Sequence, residues 1–152
     1  MNIVSITNPA HGIAEHDWLK QSEAVHRQLR PHLPADYVGR MREIFAGGAE
    51  MAVCVSDGRV CGIAVFRVLE KTFSGRELYC DDLVAEQSTR STGVGHLLIV
   101  HMEAVAAQRG CNTLELDSGV QRQQAHKFYF REGMTIPSFH FSKSLKKLNQ
   151  ST

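Results

Sequence analysis

Apolar and polar residues change period several times along this chain, and each change marks an element. Ile3 opens a short strand over residues 3–7, which Asn8-Pro9 and His11-Gly12 break. Across residues 14–30, Trp18, Val25 and Leu29 recur near helical spacing, and Pro31 stops the helix. A second helix is predicted over residues 35–45, ending at Gly47-Gly48. The period then becomes two: Met51, Val53 and Val55 alternate up to Asp57-Gly58, a hairpin turn signal. The return strand covers residues 60–69, and after a loop at Ser74-Gly75 a third antiparallel strand covers 77–85. Residues 94–109 form a helix with Val94, Leu97, Leu98, His101, Met102 and Val105 on one face and Gly110 as its cap. Residues 112–117 read as a strand. Residues 121–132 read as a helix carrying Ala125, Phe128 and Tyr129 on one side, with Gly133 ending it, and residues 134–141 as a final strand. This order predicts an α/β fold of the α+β kind, with a mixed sheet and one parallel crossover.

Composition narrows the picture only slightly. The 152 residues suffice for one domain, and 43% hydrophobic with 22% charged residues is ordinary for a globular chain. A net charge of +1 offers no electrostatic grip on nucleic acid or an anionic membrane. Lys143, Lys146 and Lys147 mark residues 143–152 as a basic, solvated tail. Cys54, Cys61, Cys80 and Cys111 show no C-x-x-C spacing, so no metal site is expected, and their apolar surroundings suit reduced thiols. The first residues lack the pattern of a signal peptide and no apolar run is long enough to span a bilayer, so a cytoplasmic protein is expected.

The chemistry concentrates in Arg90-Ser91-Thr92-Gly93-Val94-Gly95, between a strand and a helix. Glycines 93 and 95 let the backbone turn and approach a ligand, and the helix start offers N–H groups and the positive end of its dipole. Together these suit a phosphate. A tight loop without a ligand accounts for the glycines equally well. A Walker loop is excluded by the lack of Gly-Lys-Ser/Thr. A Rossmann fingerprint is disfavoured because Leu98 stands where its third glycine belongs and residues 86–89 separate the strand from the glycines.

Residues 78–85, the loop and the following His96-Leu97-Leu98 resemble motif A of the GNAT superfamily of acyl-CoA N-acyltransferases, Gln/Arg-x-x-Gly-x-Gly/Ala. Downstream, Ala125-His126-Lys127-Phe128-Tyr129-Phe130-Arg131-Glu132-Gly133-Met134 resembles the family's motif B. Ser91 departs from the glycine common after the loop arginine. The C-terminal part also resembles aminoalkylphosphonate acetyltransferases. The resemblance covers nearly the whole chain and implies one acyltransferase domain over residues 1–152, with a mainly antiparallel twisted sheet, a splayed central parallel pair and flanking helices. It implies acetyl-CoA as co-substrate, with pantetheine pairing to the backbone of Leu83, Val84 and Ala85 and pyrophosphate at Arg90, Ser91, Thr92, Gly93, Val94, Gly95 and His96. It implies that Tyr129 protonates the departing thiolate. Asp81 and Asp82 are adjacent on a strand and are expected to face opposite sides. Asp81 has the parity of the family's base; surface charge pairing is the rival reading of both acids. The implied reaction is acetyl transfer to a primary amine of a small molecule. A protein or peptide acceptor, or a non-catalytic acyl-CoA-binding module, are the alternatives, and a homodimer is the implied assembly.

Overall fold

The computed structural model describes residues 1–146, so Lys147 and the rest of the expected basic tail lie outside the described residues. The chain falls into two compact units, Met1–Leu116 and Asp117–Thr152. The first holds β1 (Asn2–Ser5), α1 (His16–Leu29), α2 (Tyr37–Ala46), β2 (Glu50–Ser56), β3 (Arg59–Lys71), β4 (Gly75–Ala85), α3 (Val94–Gln108) and β5 (Thr113–Leu116). The second holds α4 (Gln123–Arg131). No helix among the described residues is long and apolar enough to cross a membrane.

The strands lie side by side in the order β1-β2-β3-β4-β5. The first four pair antiparallel, and β5 pairs with β4 in parallel, as the crossover through α3 requires. Side chains alternate between the two faces of the sheet. On one face Val53, Val55, Ile63, Val65 and Val84 join a core with Leu19 and Val25 of α1 and Tyr37, Met41 and Phe45 of α2. On the other face α3 is seated on β3, with Phe66 edge-on to His101 and the Gly62 backbone against Val94 and Leu98. Covering both faces explains why β2 is buried at every position but its last.

Two irregularities interrupt the ladders. Between β2 and β3 the register slips at Cys54/Val55, where Cys54 opposes Gly62 and Val55 opposes Val60, so Cys61 is the extra residue. Between β3 and β4, Val65 opposes Asp82 while Phe66 opposes Cys80, which makes Asp81 a bulge residue. Each bulge has a buried thiol beside it. Cys61 Sγ donates to the Cys54 carbonyl and Cys80 Sγ to the Asp82 carbonyl, both at 3.3 Å. Burial, with the charges of Asp82 and Asp81, pushes the Cys80 thiol far up, so it stays a protonated donor.

The expected last strand is absent: among the described residues no strand follows Leu116, and β5 is therefore an edge. Pro137 has no N–H to give a ladder. Ile136, Phe139 and Phe141 are exposed, so their alternation reflects no buried face. The other elements form within a few residues of their predicted bounds.

A Cβ added to Gly62 would stand 2.3 Å from Val94 Cγ1 and 3.1 Å from Leu98 Cδ1. Gly62→Ala should therefore lower unfolding stability by about 1–3 kcal/mol. An unchanged urea midpoint would show that α3 does not depend on this close approach.

Candidate functional site

Strand β4 is the spine of the site. Its pairing with β5 runs from Glu77↔Thr113 to Cys80↔Leu116 and stops there, whereas its pairing with β3 continues to Ala85. Leu83, Val84 and Ala85 thus have a strand on one side and, among the described residues, none on the other. Backbone groups left in this way need a partner from water or a ligand.

Beyond Ala85 the chain turns through a short 3-10 segment, Gln87–Thr89, and Glu86 accepts from Ser88 N–H at 2.8 Å to close it. Gln28 of α1 accepts from Gln87 N–H at 3.1 Å, tying the segment to the first helix. Thr89 and Thr92 hydroxyls donate to the carbonyls of Glu86 and Thr89. Gly93 is left-handed at φ 93° and caps α3, whose first ladder bond is Leu97 N–H to Gly93 O. The first-turn N–H groups have no acceptor within the helix, so Val94, Gly95 and His96 open an anion-favouring terminus. Buried Val94 seats this terminus on β3. Ser91 is also left-handed, at φ 68°. That conformation suits glycine, and a serine carries about 1–2 kcal/mol of strain there. Arg90 and Thr92 are exposed beside it.

The two aspartates of β4 do not face opposite sides. Asp82 lies opposite Val65 and reaches His26 of α1. Asp81 reaches Arg67, which shares a face with Ile63 and Val65 by the alternation of β3; Arg67 donates to Asp81 Oδ2 from Nε at 2.9 Å and Nη2 at 2.6 Å. The bulge at Asp81 rotates the strand by one residue, so both carboxylates come to the face covered by α1 and α2.

Asp82 is the more enclosed of the two, with a side chain 14% exposed. His26 Nε2 lies 2.7 Å from its Oδ2, and Arg30 Nε donates to its Oδ1 at 2.7 Å. Burial pushes this carboxyl up, but the hydrogen bonds from His26 and Arg30, with the guanidinium's charge, outweigh burial and hold it below its ordinary value. Behind it, His26 Nδ1 lies 2.9 Å from Tyr37 Oη. Burial, with help from Glu23 and Asp82, pushes the Tyr37 phenol far up, so it stays protonated.

Asp82 opens on a cleft of about 730 Å³ between the end of α1, the start of α2 and β4. Leu33, Pro34 and Ile44 supply its apolar lining. Its charged lining is Arg30, Arg40, Asp36, Glu43 and Asp82, with His32 beside them. Asp36 also caps α2 by accepting from Gly39 N–H at 3.0 Å.

The first unit thus brings together Leu83, Val84, Ala85, the residues from Arg90 to His96, and Asp81. Tyr129 is carried by α4 of the second unit, half-buried and edge-on to Phe128 with centroids 5.5 Å apart. The linked set Tyr37, His26, Asp82 and Arg30 was not anticipated. The available signal was His26 itself, which follows Leu19, Ser22 and Val25 on the buried stripe of α1.

A family model described as Acetyltransferase (GNAT) family matches residues 13–134. The uncharacterized N-acetyltransferase YhdJ of Bacillus subtilis is 39% identical over 70 residues, which is 45% of this chain and 49% of the relative. The aminoalkylphosphonate N-acetyltransferase of Salmonella typhimurium is 36% identical over 64 residues, 42% of each chain. The matches thus span about half the length of these curated relatives. Among solved structures, aminoglycoside N-acetyltransferase AAC(6')-Iy in complex with CoA superposes with a TM-score of 0.80 at 18% identity, covering 95% of this chain and 94% of that one. At that identity the likeness establishes the fold.

Two measurements probe the site's construction. Ser91→Gly removes a left-handed serine and should raise stability by up to about 1 kcal/mol in urea unfolding; a loss would show that its side chain is needed. The Asp82 carboxyl titrates lower folded than unfolded, so its stabilisation is complete above the ordinary value of 3.8 and disappears as pH falls through the folded value. Asp82→Asn should therefore flatten the loss of stability below about pH 4, and an unaltered acid limb would contradict the assignment.

Proposed function

Because the chain belongs to the GNAT acetyltransferase family, we propose that it moves an acetyl group from acetyl-CoA to a primary amine of a small molecule by direct attack on the thioester. The observation that carries this reading is the continuity of β4 with α3: a strand whose β5 side is, among the described residues, unpaired after Cys80 runs into a helix N-terminus capped by left-handed Gly93. The backbone of Leu83, Val84 and Ala85 would take the pantetheine amides as an added strand. The residues from Arg90 to His96 would take the pyrophosphate, mainly through backbone N–H groups.

Three tasks remain for side chains. The acceptor must be held, its ammonium must lose a proton, and the thiolate must gain one as the C–N bond forms and the C–S bond breaks. Asp82, ionised and open to the cleft, holds the ammonium. Asp81, on the same face, takes the proton through a water once the substrate draws it from Arg67. Tyr129 gives a proton to the sulfur; its phenol is weaker than a thiol by roughly 1.5 pKa units, or about 2 kcal/mol, which is small beside a reaction barrier. The homodimer implied by the family is part of the same proposal and is read by sedimentation.

The cleft also bears on the acceptor. Its three carboxylates and two guanidiniums leave one formal negative charge with His32 counted neutral. That balance matches a single ammonium better than a polycation. Of the relatives' named substrates, an aminoalkylphosphonate carries a single ammonium and an aminoglycoside several; the phosphonate's own negative charge would be met by Arg30 and Arg40.

Incubation with acetyl-CoA and a panel of amines, with release of free thiol measured, tests the reading. Small monoamines should turn over faster than aminoglycosides, and acetyl-CoA alone should raise the melting temperature. A thermal shift with no turnover on any amine would instead identify a coenzyme-binding module. Asp81→Asn and Tyr129→Phe should each lower kcat by about ten-fold or more while leaving the coenzyme's thermal shift intact.

A further inference from the structure

We propose that His26 and Tyr37 are positioning residues: they hold the Asp82 carboxylate, through the imidazole, in the orientation that binds the acceptor's ammonium. This rests on the N-acetyltransferase reading and adds to it a device that reaches from the cleft into the core.

His26 is 1% exposed and Tyr37 2% exposed, yet both are polar and neither touches the cleft. A buried imidazole is costly unless both nitrogens are satisfied. Here they are, by groups on two different elements: Tyr37 on α2 and Asp82 on β4. The direction of the chain follows from the carboxylate. Ionised Asp82 can only accept, so Nε2 carries the hydrogen that reaches Oδ2; in the neutral imidazole Nδ1 is then the acceptor, and the Tyr37 hydroxyl donates to it. Arg30 donates to the other oxygen. Oδ2 thus receives one donor and keeps a second lone pair, while Oδ1 lies 2.7 Å from both Nε and Nη2 of Arg30. Without the two donors, the side chain would be free to rotate about its χ angles, and a binding group that must be ordered on each encounter binds more weakly. With them, the carboxylate is held in one orientation on the cleft wall.

A hydrophobic residue at position 26 would pack the core at no desolvation cost. A core role alone therefore does not account for an imidazole satisfied at both ends, one of them a carboxylate on the cleft wall. The other charged groups nearby do not substitute for it. Arg67 is engaged by Asp81, Arg27 by Glu23, and Arg30 approaches Asp82 from its exposed side.

The test separates this proposal from the reading beneath it. With the best amine of the panel, His26→Leu should raise the amine KM about ten-fold, the effect of losing one charge-assisted hydrogen bond, while the acetyl-CoA KM stays unchanged. His26→Gln, which restores an N–H donor toward Asp82, should recover most of that loss. Tyr37→Phe, which keeps the ring in the core, should raise the amine KM by a smaller factor. An amine KM unchanged in folded His26→Leu and Tyr37→Phe would overturn the proposal, as would a loss in His26→Leu that His26→Gln fails to rescue. A readout independent of turnover uses the wild-type protein with propylamine. The His26 imidazole nitrogens, followed by ¹⁵N NMR, should show the Nε2–H tautomer and shift on titration, and the shift should vanish in Asp82→Asn. If wild-type protein acetylates no amine, the function reading fails and this titration still decides the relay: a moving His26 signal supports it, and a signal indifferent to amine refutes it.

Discussion

Strand β4 serves two neighbours that use different lengths of it. β3 stays paired with it to Ala85, while β5 lets go after Cys80 and Leu116. Where β5 departs, β4 takes on its extra residue, Asp81. The coincidence decides what the strand presents. Beyond the bulge its backbone is held straight by β3 and has groups to spare on the other side, each worth about 1–3 kcal/mol if it were buried without a partner. A ligand that pairs with them offsets that cost. The same bulge turns two adjacent acids to one face, so the strand that leaves backbone free for a donor also places carboxylates for an acceptor.

Much of this was legible in the sequence because it depends on local chemistry. The alternation of Met51, Val53 and Val55, the Asp57-Gly58 turn and the apolar face from Val94 to Met102 are periodic signals, and the elements formed where they pointed. The glycine loop was legible for the same reason, and Gly93 takes the positive φ that its residue type suggested. Ser91 was visible as a departure from the family pattern, and its left-handed backbone shows that the chain retains the turn without the glycine.

What the sequence hid depends on long-range pairing. A bulge has no residue signature at Asp81; it exists because Val65 and Phe66 choose partners two residues apart on β4, and strict alternation then assigns neighbouring acids to the wrong faces. The final strand failed in the opposite sense. Residues 134–141 have strand-like alternation, but alternation describes a half-buried ribbon only when a ladder and a core are present, and Phe139 and Phe141 have neither. Cys61 and Cys80 are small hydrophobes by burial, but each also donates an S–H hydrogen bond to a carbonyl at a bulge.

The polar chain from Tyr37 to Asp82 runs against the usual economy of a small core. Taking a carboxylate largely out of water costs several kcal/mol unless donors replace its hydration. Here the replacement is drawn from both helices that cover this face: His26 of α1 and Arg30 just beyond its end, with Tyr37 of α2 behind the imidazole. The bulge is what makes this possible, since without the extra residue the side chain following Asp81 would fall on the α3 face, among apolar neighbours such as Leu98 and Met102. The irregular strand and the polar core are therefore one arrangement. The backbone defect brings the carboxylate to the cleft, and the buried imidazole and phenol make it stable enough to stay there ionised.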